Sequence, residues 1–193
     1  MRLTRPELAA FRGRILPDLV GAPTRLLFVG FNPGLRSVAV QAHFGGGSNR
    51  FYPALYAAGI TDHRIDASEG FRPDDLRHLQ ERGVGITSLV PGATARADEL
   101  TVAELVAGAA ALAARVSIDP PTVVAILGVT AYRAAFERPR AALGLQPDLL
   151  SGVPVRVVPN PSGLNRHASL ADLATAYRDA AVAAGIEPFA PTQ

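Results

Sequence analysis

Four short runs of apolar, mostly β-branched residues occur along the chain and predict buried strands. None shows the strict apolar–polar alternation of a strand with one wet face, which favours strands covered on both faces, as in a parallel sheet. The sequence therefore predicts a short, mainly parallel, four-stranded sheet. The predicted strands are residues 26–29, 84–90, 122–127 and 153–158.

Segments with helical periodicity lie between these runs. Thr101 and Ser169 each stand three positions before an acidic residue, which is the pattern of a capping box at a helix start. Ser48 can cap a further helix. Alternation of strands and helices predicts an α/β fold with helices on both faces of the sheet. The predicted helices are residues 48–58, 74–82, 101–115, 129–137 and 169–184.

Length and hydrophobicity favour one globular domain. The chain has 193 residues, of which 48% are hydrophobic, and one domain commonly takes about 100–200 residues. We expect a single domain over residues 1–193, with a core at about 25–184. Residues 187–193, which contain Pro188 and Pro191, are expected to form a loose tail.

The hydrophobic pattern predicts neither a membrane span nor a secretory signal. The longest apolar run, residues 105–114, is shorter than the ~20 residues that a helix needs to cross a bilayer. Charged residues interrupt the first 20 positions, unlike a secretory signal. We therefore expect a soluble, cytoplasmic protein that has no membrane partner. We also expect a monomer.

The missing residue types exclude several kinds of chemistry. All 19 basic residues are arginine, against 17 acidic residues, and the chain has no lysine and no cysteine. Without cysteine there are no disulfides, thiolate zinc sites, iron–sulfur clusters or thiol nucleophiles. Without lysine, Schiff-base catalysis by a side chain is excluded. The net charge of +2 is too small to indicate a nucleic-acid partner by itself.

Candidate chemistry follows the predicted strands, where ligands bind in open α/β sheets. The first strand runs into Gly30-Phe-Asn-Pro-Gly34, and the last runs into residues 159–166, which begin Pro-Asn-Pro-Ser-Gly. Each segment is also compatible with a tight turn that has no chemistry. A third segment, residues 44–51, carries three glycines before a helix; it fits either a phosphate cradle or a flexible turn with a helix cap.

These motifs carry a resemblance to a known family. Gly30-Phe-Asn-Pro-Gly34, Ser48-Asn-Arg-Phe51 and Asn160-Pro-Ser-Gly-Leu164 resemble, in order and spacing, the mismatch-specific uracil/thymine-DNA glycosylases of the uracil-DNA glycosylase superfamily. The likeness covers about residues 25–184. It implies a three-layer α/β/α sandwich and an enzyme that removes uracil, thymine or alkylated pyrimidines opposite guanine.

The resemblance also implies roles for individual residues. Phe44 would stack on a flipped base, the Phe31 backbone N–H would contact the base edge, and Asn160 and Ser88 would complete the base pocket. Asn32 stands at the catalytic position; its amide has no useful pKa, so its implied role is to orient the attacking water. Burial in the core is the alternative for Phe44.

A second set of residues is implied to bind DNA. Leu164 would fill the space that the flipped base leaves in the stack, as apolar wedges do in other proteins; core burial is again the alternative. The remaining members of this set are Ser162, Gly163, Arg166 and Arg50.

The chain also departs from the family pattern. Residues 91–93, which follow the second predicted strand, offer no polar side chain, so this loop is expected to contribute little to substrate contacts. Asp98 and Glu99 fit either a catalytic carboxylate or a solvated helix start. His43 fits either a phosphate or base contact or a loop histidine. The spacing of His63, His78 and His167 indicates no metal site.

The sequence leads to one main hypothesis and one alternative. The main hypothesis is a DNA repair glycosylase acting on double-stranded DNA with G·U, G·T or alkylated-pyrimidine mispairs, without cofactor or metal. Because there is no side-chain amine, base removal is expected to proceed by water and without lyase activity. The alternative is a non-catalytic α/β module that binds nucleotides or damaged DNA.

Overall fold

The structure is a computed structural model that describes residues 3–21 and 23–190. Within these residues the strands are β1 (Leu26–Gly30), β2 (Val84–Ser88), β3 (Val123–Leu127), β4 (Gly144–Leu150) and β5 (Val153–Val158). The helices are α1 (Arg5–Ala9), α2 (Leu35–Ala39), α3 (Phe51–Ala57), α4 (Pro73–Glu81), α5 (Val102–Ile118), α6 (Val129–Ala135) and α7 (Leu170–Ala183).

The five strands form one sheet in the order β2-β1-β3-β5-β4. β1 pairs in parallel with β2 and β3, and β3 pairs in parallel with β5. β4 is antiparallel to β5 at the edge. The sheet is therefore five-stranded and mixed, which corrects the prediction of a four-stranded, mainly parallel sheet.

The sequence analysis did not predict β4 because its side chains do not follow a strand pattern. Most of the strand is exposed or half-exposed, and it contains Pro147, which cannot donate to a sheet hydrogen bond. Proline is tolerated at sheet edges and bulges. The pairing with β5 shifts register between Leu145 and Leu149, so the proline falls where the ladder is interrupted.

Helices cover both faces of the sheet, as predicted. On one face α3, α4 and α7 bury a cluster that includes Phe28, Phe51 and Tyr177. On the other face α5 and α6 pack on Leu27, Val29 and the alternate residues of β3 and β5. All five residues of β1 are buried, so the apolar runs reflect strands covered on two sides. The architecture is a three-layer α/β/α sandwich.

The predicted helix caps are confirmed at two positions and corrected at a third. Thr101 and Ser169 form capping boxes with Glu104 and Asp172. Ser48, however, does not cap α3. The helix starts at Phe51, whose N–H is bound at 2.9 Å by the side-chain oxygen of Asn49. The N-cap position is Arg50, which makes no side-chain cap hydrogen bond; the Asn49 contact is a turn in which an asparagine side chain binds the backbone two residues on. The short α1 and α2 were not predicted.

Residues 187–190 are tied to the body, which corrects the expectation of a loose tail for this part. The Phe189 N–H binds the Gly59 carbonyl at 2.8 Å, and the Arg82 guanidinium lies 4.2 Å from the centre of the Phe189 ring. Residues 191–193 of the predicted tail lie outside the described residues. In the described ranges, none of the helices combines the length and apolar character that crossing a membrane requires.

Candidate active site

A cleft of about 280 Å³ lies at the carboxyl ends of the central strands. This volume is close to the lower end of the range of about 300–1,000 Å³ for small-molecule sites. Loops that follow β1, β2 and β5 form its walls together with residues 43–49. It gathers seven of the ten predicted site residues: Phe31, Asn32, Phe44, Ser88, Asn160, Ser162 and Gly163.

Phe44 is held between the end of β1 and the core. Its ring centre lies 4.2 Å from that of Phe51, with the planes inclined by 31°. A Cβ added at Gly30 would meet two atoms of the Phe44 ring at 3.4 and 3.5 Å, so the ring rests on the strand end. Phe44 is half-buried and also lines the cleft, and the ring can therefore offer a stacking surface.

Gly128 allows the first and last site loops to come together. Its φ of 109° suits glycine, and an added Cβ would lie 3.3 Å from Phe31 Cε2 and 3.3 Å from Asn160 Cβ. The end of β3 therefore lies between Phe31 and Asn160, as the order β1-β3-β5 requires. Among the described residues, no loop hydrogen bond uses the Phe31 backbone N–H, which leaves that donor free for a ligand.

The amide of Asn160 has a defined orientation. Its Oδ1 accepts a hydrogen bond of 2.9 Å from the Ser162 backbone N–H. Because a backbone N–H can only donate, the oxygen must face the loop, and the NH₂ group takes the opposite side. The Asn165 side chain also binds the Asn160 carbonyl at 2.9 Å. Asn160 can therefore offer a hydrogen-bond donor to the cleft.

The amide of Asn32 is oriented in the opposite sense. Its Nδ2 donates to the Gly92 carbonyl at 3.1 Å and to Thr94 Oγ1 at 2.8 Å. Thr94 Oγ1 in turn donates to the Arg96 carbonyl at 2.7 Å, so it accepts from Asn32. Within the described chain, no hydrogen bond is made to Asn32 Oδ1. Asn32 can therefore offer an acceptor to the cleft.

Thr94 is a site residue that the sequence analysis missed. The loop after β2 was expected to contribute little because residues 91–93 have no polar side chain, yet the Gly92 carbonyl and the Thr94 hydroxyl together hold the Asn32 amide. A hydroxyl two residues beyond Gly92 was the available signal. Asp98 pairs with Arg96 and Glu99 pairs with Arg12, and neither carboxylate lines the cleft.

His43 and Ser88 form part of the buried base of the cleft. His43 is 4% exposed, and its Nε2 lies 2.9 Å from the Pro17 carbonyl. Burial lowers the pKa of His43, opposed by this hydrogen bond and by the charge of Asp18. The ring is therefore neutral at pH 7. Ser88 is also buried, and its carbonyl accepts from Arg115 at 3.1 Å.

The other three predicted residues, Arg50, Leu164 and Arg166, do not line the cleft. Leu164 is 91% exposed, which rules out the alternative of core burial, and Arg166 is exposed. The Arg50 guanidinium donates to the carbonyls of Ala168, Ser162 and Asn165, at 2.6, 3.1 and 2.8 Å. Arg50 thus fixes the loop of residues 160–168, which carries Leu164.

The end of the glycine-rich segment forms a turn before α3. The N–H groups of Arg50 and Phe51 are already bound by the Pro161 carbonyl and the Asn49 side chain. A phosphate cradle would need such groups free. Gly45 is buried, and an added Cβ would lie 2.8 Å from Val40 Cγ2. Among the described residues, by contrast, no hydrogen bond uses the N–H groups of Gly46, Gly47 and Ser48, so the segment fits both interpretations.

The cleft has no acidic side chain among its described lining residues, whereas two arginines, Arg36 and Arg96, lie on its wall. The charge of Arg96 is balanced by Asp98, and Arg36 donates to the Ser68 carbonyl at 2.9 Å. With no carboxylate and a neutral histidine, the polar groups of the cleft act through hydrogen bonds.

Comparison with known proteins identifies the family. A model of the uracil DNA glycosylase superfamily matches residues 17–183, which include every predicted site residue. The fold is also similar to that of a candidate uracil DNA glycosylase from Methanosarcina acetivorans, solved by NMR in solution. The TM-score is 0.56 at 17% sequence identity, and the match covers 88% of this chain and 98% of that chain. At this identity the structural likeness concerns the fold alone. The extent of the family match shows that the chain belongs to the uracil DNA glycosylase superfamily.

Proposed function

We propose that the protein is a monofunctional DNA glycosylase that removes uracil and related damaged or mispaired pyrimidines opposite guanine. It would flip the base out of the duplex and hydrolyse its N-glycosidic bond with water. The observation that carries this proposal is the pair of oppositely oriented amides in one cleft. Asn160 offers a donor and Asn32 offers an acceptor, next to an aromatic ring.

The donor side of the cleft suits a pyrimidine base. Uracil and thymine present carbonyl oxygens, which accept hydrogen bonds from groups such as Asn160 Nδ2 and the Phe31 N–H. Stacking of the base on Phe44 contributes about 1–3 kcal/mol. As the glycosidic bond breaks, negative charge develops on the departing base, and donors fixed in position stabilise it without reorganisation.

The acceptor side suits the attacking water. A water that donates a hydrogen bond to Asn32 Oδ1 is held in one orientation relative to the sugar carbon C1′. An amide cannot take up the water proton, because it has no useful pKa. Rate acceleration then depends on positioning and on leaving-group stabilisation. We therefore expect a slow enzyme.

The loop of residues 160–168 would contact the duplex beside the flipped base. Leu164 is exposed at its tip and would occupy the space left in the base stack. Apolar wedges of this kind offset the cost of unstacking. Ser162, Gly163 and Arg166 would meet the backbone and the opposing guanine. We propose a positioning role for Arg50, since its guanidinium is bound to the loop carbonyls.

The proposal is tested by single-turnover base release from duplexes with a central G·U, G·T, G·ethenocytosine or A·U pair. Alkali-labile abasic sites should form faster from G·U than from A·U. Asn32→Ala should reduce the rate by about 100-fold, since misplacing a reacting group costs on that order, with unchanged duplex affinity.

Two outcomes would contradict the proposal. Full activity of Asn32→Ala would remove the catalytic assignment. Tight binding of the mispaired duplexes without base release from any of them would favour the alternative, a non-catalytic module for damaged DNA.

Sedimentation of the protein alone tests the expectation of a monomer.

A further inference from the structure

A cluster of two histidines and two aspartates lies outside the cleft, where the loop before α4 packs on that helix. Asp62 and His63 belong to the loop, and Asp75 and His78 belong to α4. None of the four lines the cleft. Three of them each offer one atom that could bind a metal ion, and these three atoms all lie within 4.8 Å of one another. The three residues are Asp62, His63 and His78.

Both ring nitrogens of His63 face a carboxylate. Nδ1 lies 2.6 Å from Asp62 Oδ1, and Nε2 lies 2.8 Å from Asp75 Oδ1. A ring protonated at both nitrogens donates to both oxygens, which fits both distances. The Asp75 side chain is buried, at 8% exposure, while that of Asp62 is 54% exposed. A metal ion bound at Nδ1 would replace the proton that faces the exposed Asp62, and these two atoms would then move apart, while the Nε2–H would stay on the buried Asp75.

His78 adds a third ligand atom on the same side. Its Nε2 is buried and has no hydrogen-bond partner in the described chain. This nitrogen lies 3.4 Å from Asp62 Oδ1. Two ligands of a tetrahedral zinc ion with bonds of ~2.0–2.1 Å stand about 3.4 Å apart. The two imidazole rings are close as well, with centres 5.0 Å apart.

We propose that Asp62 Oδ1, His63 Nδ1 and His78 Nε2 bind one Zn²⁺ or a chemically similar divalent transition ion. Two imidazole nitrogens and one carboxylate suit such ions rather than Mg²⁺ or Ca²⁺, which take oxygen ligands. Asp75 accepts the other N–H of His63 and orients the ring, the arrangement common around metal-bound histidines. Water takes the fourth position, since Asp62 and His63 are open to solvent.

The ion would join the loop to α4 and stabilise the fold. None of its ligands lines the cleft, so the ion would take no direct part in base removal. The sequence analysis assigned no metal because the histidines are 15 positions apart and follow no recognised ligand spacing. Folding of the loop onto α4 creates the set.

The test uses the full chain, free of any histidine tag and treated with EDTA. Zn²⁺ is titrated in competition with a chromophoric chelator, and metal content is measured after gel filtration. We expect one equivalent of Zn²⁺, no competition from millimolar Mg²⁺, and a higher melting temperature with Zn²⁺. Absence of saturable binding would overturn the proposal.

Variants locate the ion. His63→Gln and His78→Gln should abolish binding at concentrations that saturate the unaltered chain, and Asp75→Asn should weaken it about 10–100-fold. Asp74→Asn on the same helix and His167→Gln elsewhere are matched controls that should bind normally. Normal binding by both His63→Gln and His78→Gln would contradict the assignment.

A measurement on the unaltered chain covers the case in which a variant fails to fold. Diethyl pyrocarbonate modifies accessible imidazoles, and mass spectrometry maps the modified residues. Zn²⁺ should protect His63, whose side chain is 47% exposed, and leave the reaction of His167 unchanged. Equal modification of His63 with and without Zn²⁺ would overturn the proposal.

Discussion

Two asparagine amides in the cleft are oriented by protein groups that bind opposite ends of the side chain. A backbone N–H holds the oxygen of Asn160, and a carbonyl and a hydroxyl hold the nitrogen of Asn32. The same residue type therefore supplies a donor at one point and an acceptor at another. A flipped base needs the donor for its carbonyl oxygens, and an attacking water molecule needs the acceptor.

The substitution Asn160→Asp keeps the hydrogen-bond acceptor of that side chain and removes its donor. A carboxylate oxygen can still accept from the Ser162 N–H, so the loop should keep its conformation and the melting temperature should hold. The donor is lost, and loss of one fixed donor to a developing anion costs about 10²–10³ in rate. Single-turnover excision of uracil measures the effect. Unchanged excision would show that Asn160 does not contact the base.

His43 gives the fold a pH dependence. Burial lowers its pKa below the usual 6.5, so the unfolded chain takes up a proton at a higher pH than the native chain does. The stability contributed by the neutral ring is fully present above about pH 6.5 and is lost as the pH falls through the lower native pKa.

His43→Gln removes this titration and can still donate to the Pro17 carbonyl. We expect the melting temperature of the unaltered chain to decrease relative to that of His43→Gln as the pH falls from 7 to 5. A difference between the two proteins that stays constant over this range would contradict the assignment.

At the scale of elements, the loop of residues 160–168 is positioned by its contacts with the start of α3. Arg50 binds three of its carbonyls. Gly163 lies so close to the chain before α3 that an added Cβ would stand 2.6 Å from the Ser48 carbonyl oxygen. Glycine is required here by close approach to another backbone segment.

Gly163→Ala should therefore displace the loop and lower base-release activity, because Leu164 would lose its position. Gly47→Ala is a matched control, since an added Cβ at Gly47 meets nothing within 4 Å. We expect at least a tenfold lower single-turnover rate for Gly163→Ala and no change for Gly47→Ala. Equal rates for the two variants would show that loop position does not limit the reaction.

The sequence was informative where an element carries its own signal. β1 and β3 are buried along their whole length, and a continuous apolar run is visible without a structure. β4 has no such run and depends on pairing with β5. Likewise, Asn32 was identified from a local motif. Its partner Thr94 lies 62 residues further along, and the pairing of β2 with β1 brings the two together.

At the scale of the whole molecule, the sheet order explains how distant motifs form one site. Along the chain, β1 is the first and β5 the last of the parallel strands, yet in the sheet only β3 lies between them. All three run in the same direction, so the loops after β1 and β5 emerge at the same edge. Gly128 at the end of β3 permits close approach between these loops.

The arginine-only composition makes a prediction about the reaction product. Glycosylases that also cleave the DNA strand do so through a Schiff base on an amine, and this chain has no lysine. Base removal should leave an intact abasic site that breaks only on alkaline treatment. Borohydride added during the reaction should trap no protein–DNA adduct, whereas a glycosylase with a catalytic lysine, assayed in parallel, should give one. Acetylation of the N-terminal amine removes the remaining candidate nucleophile; an adduct that forms with the unmodified chain and disappears after this treatment would identify that amine as the nucleophile and refute hydrolysis by water.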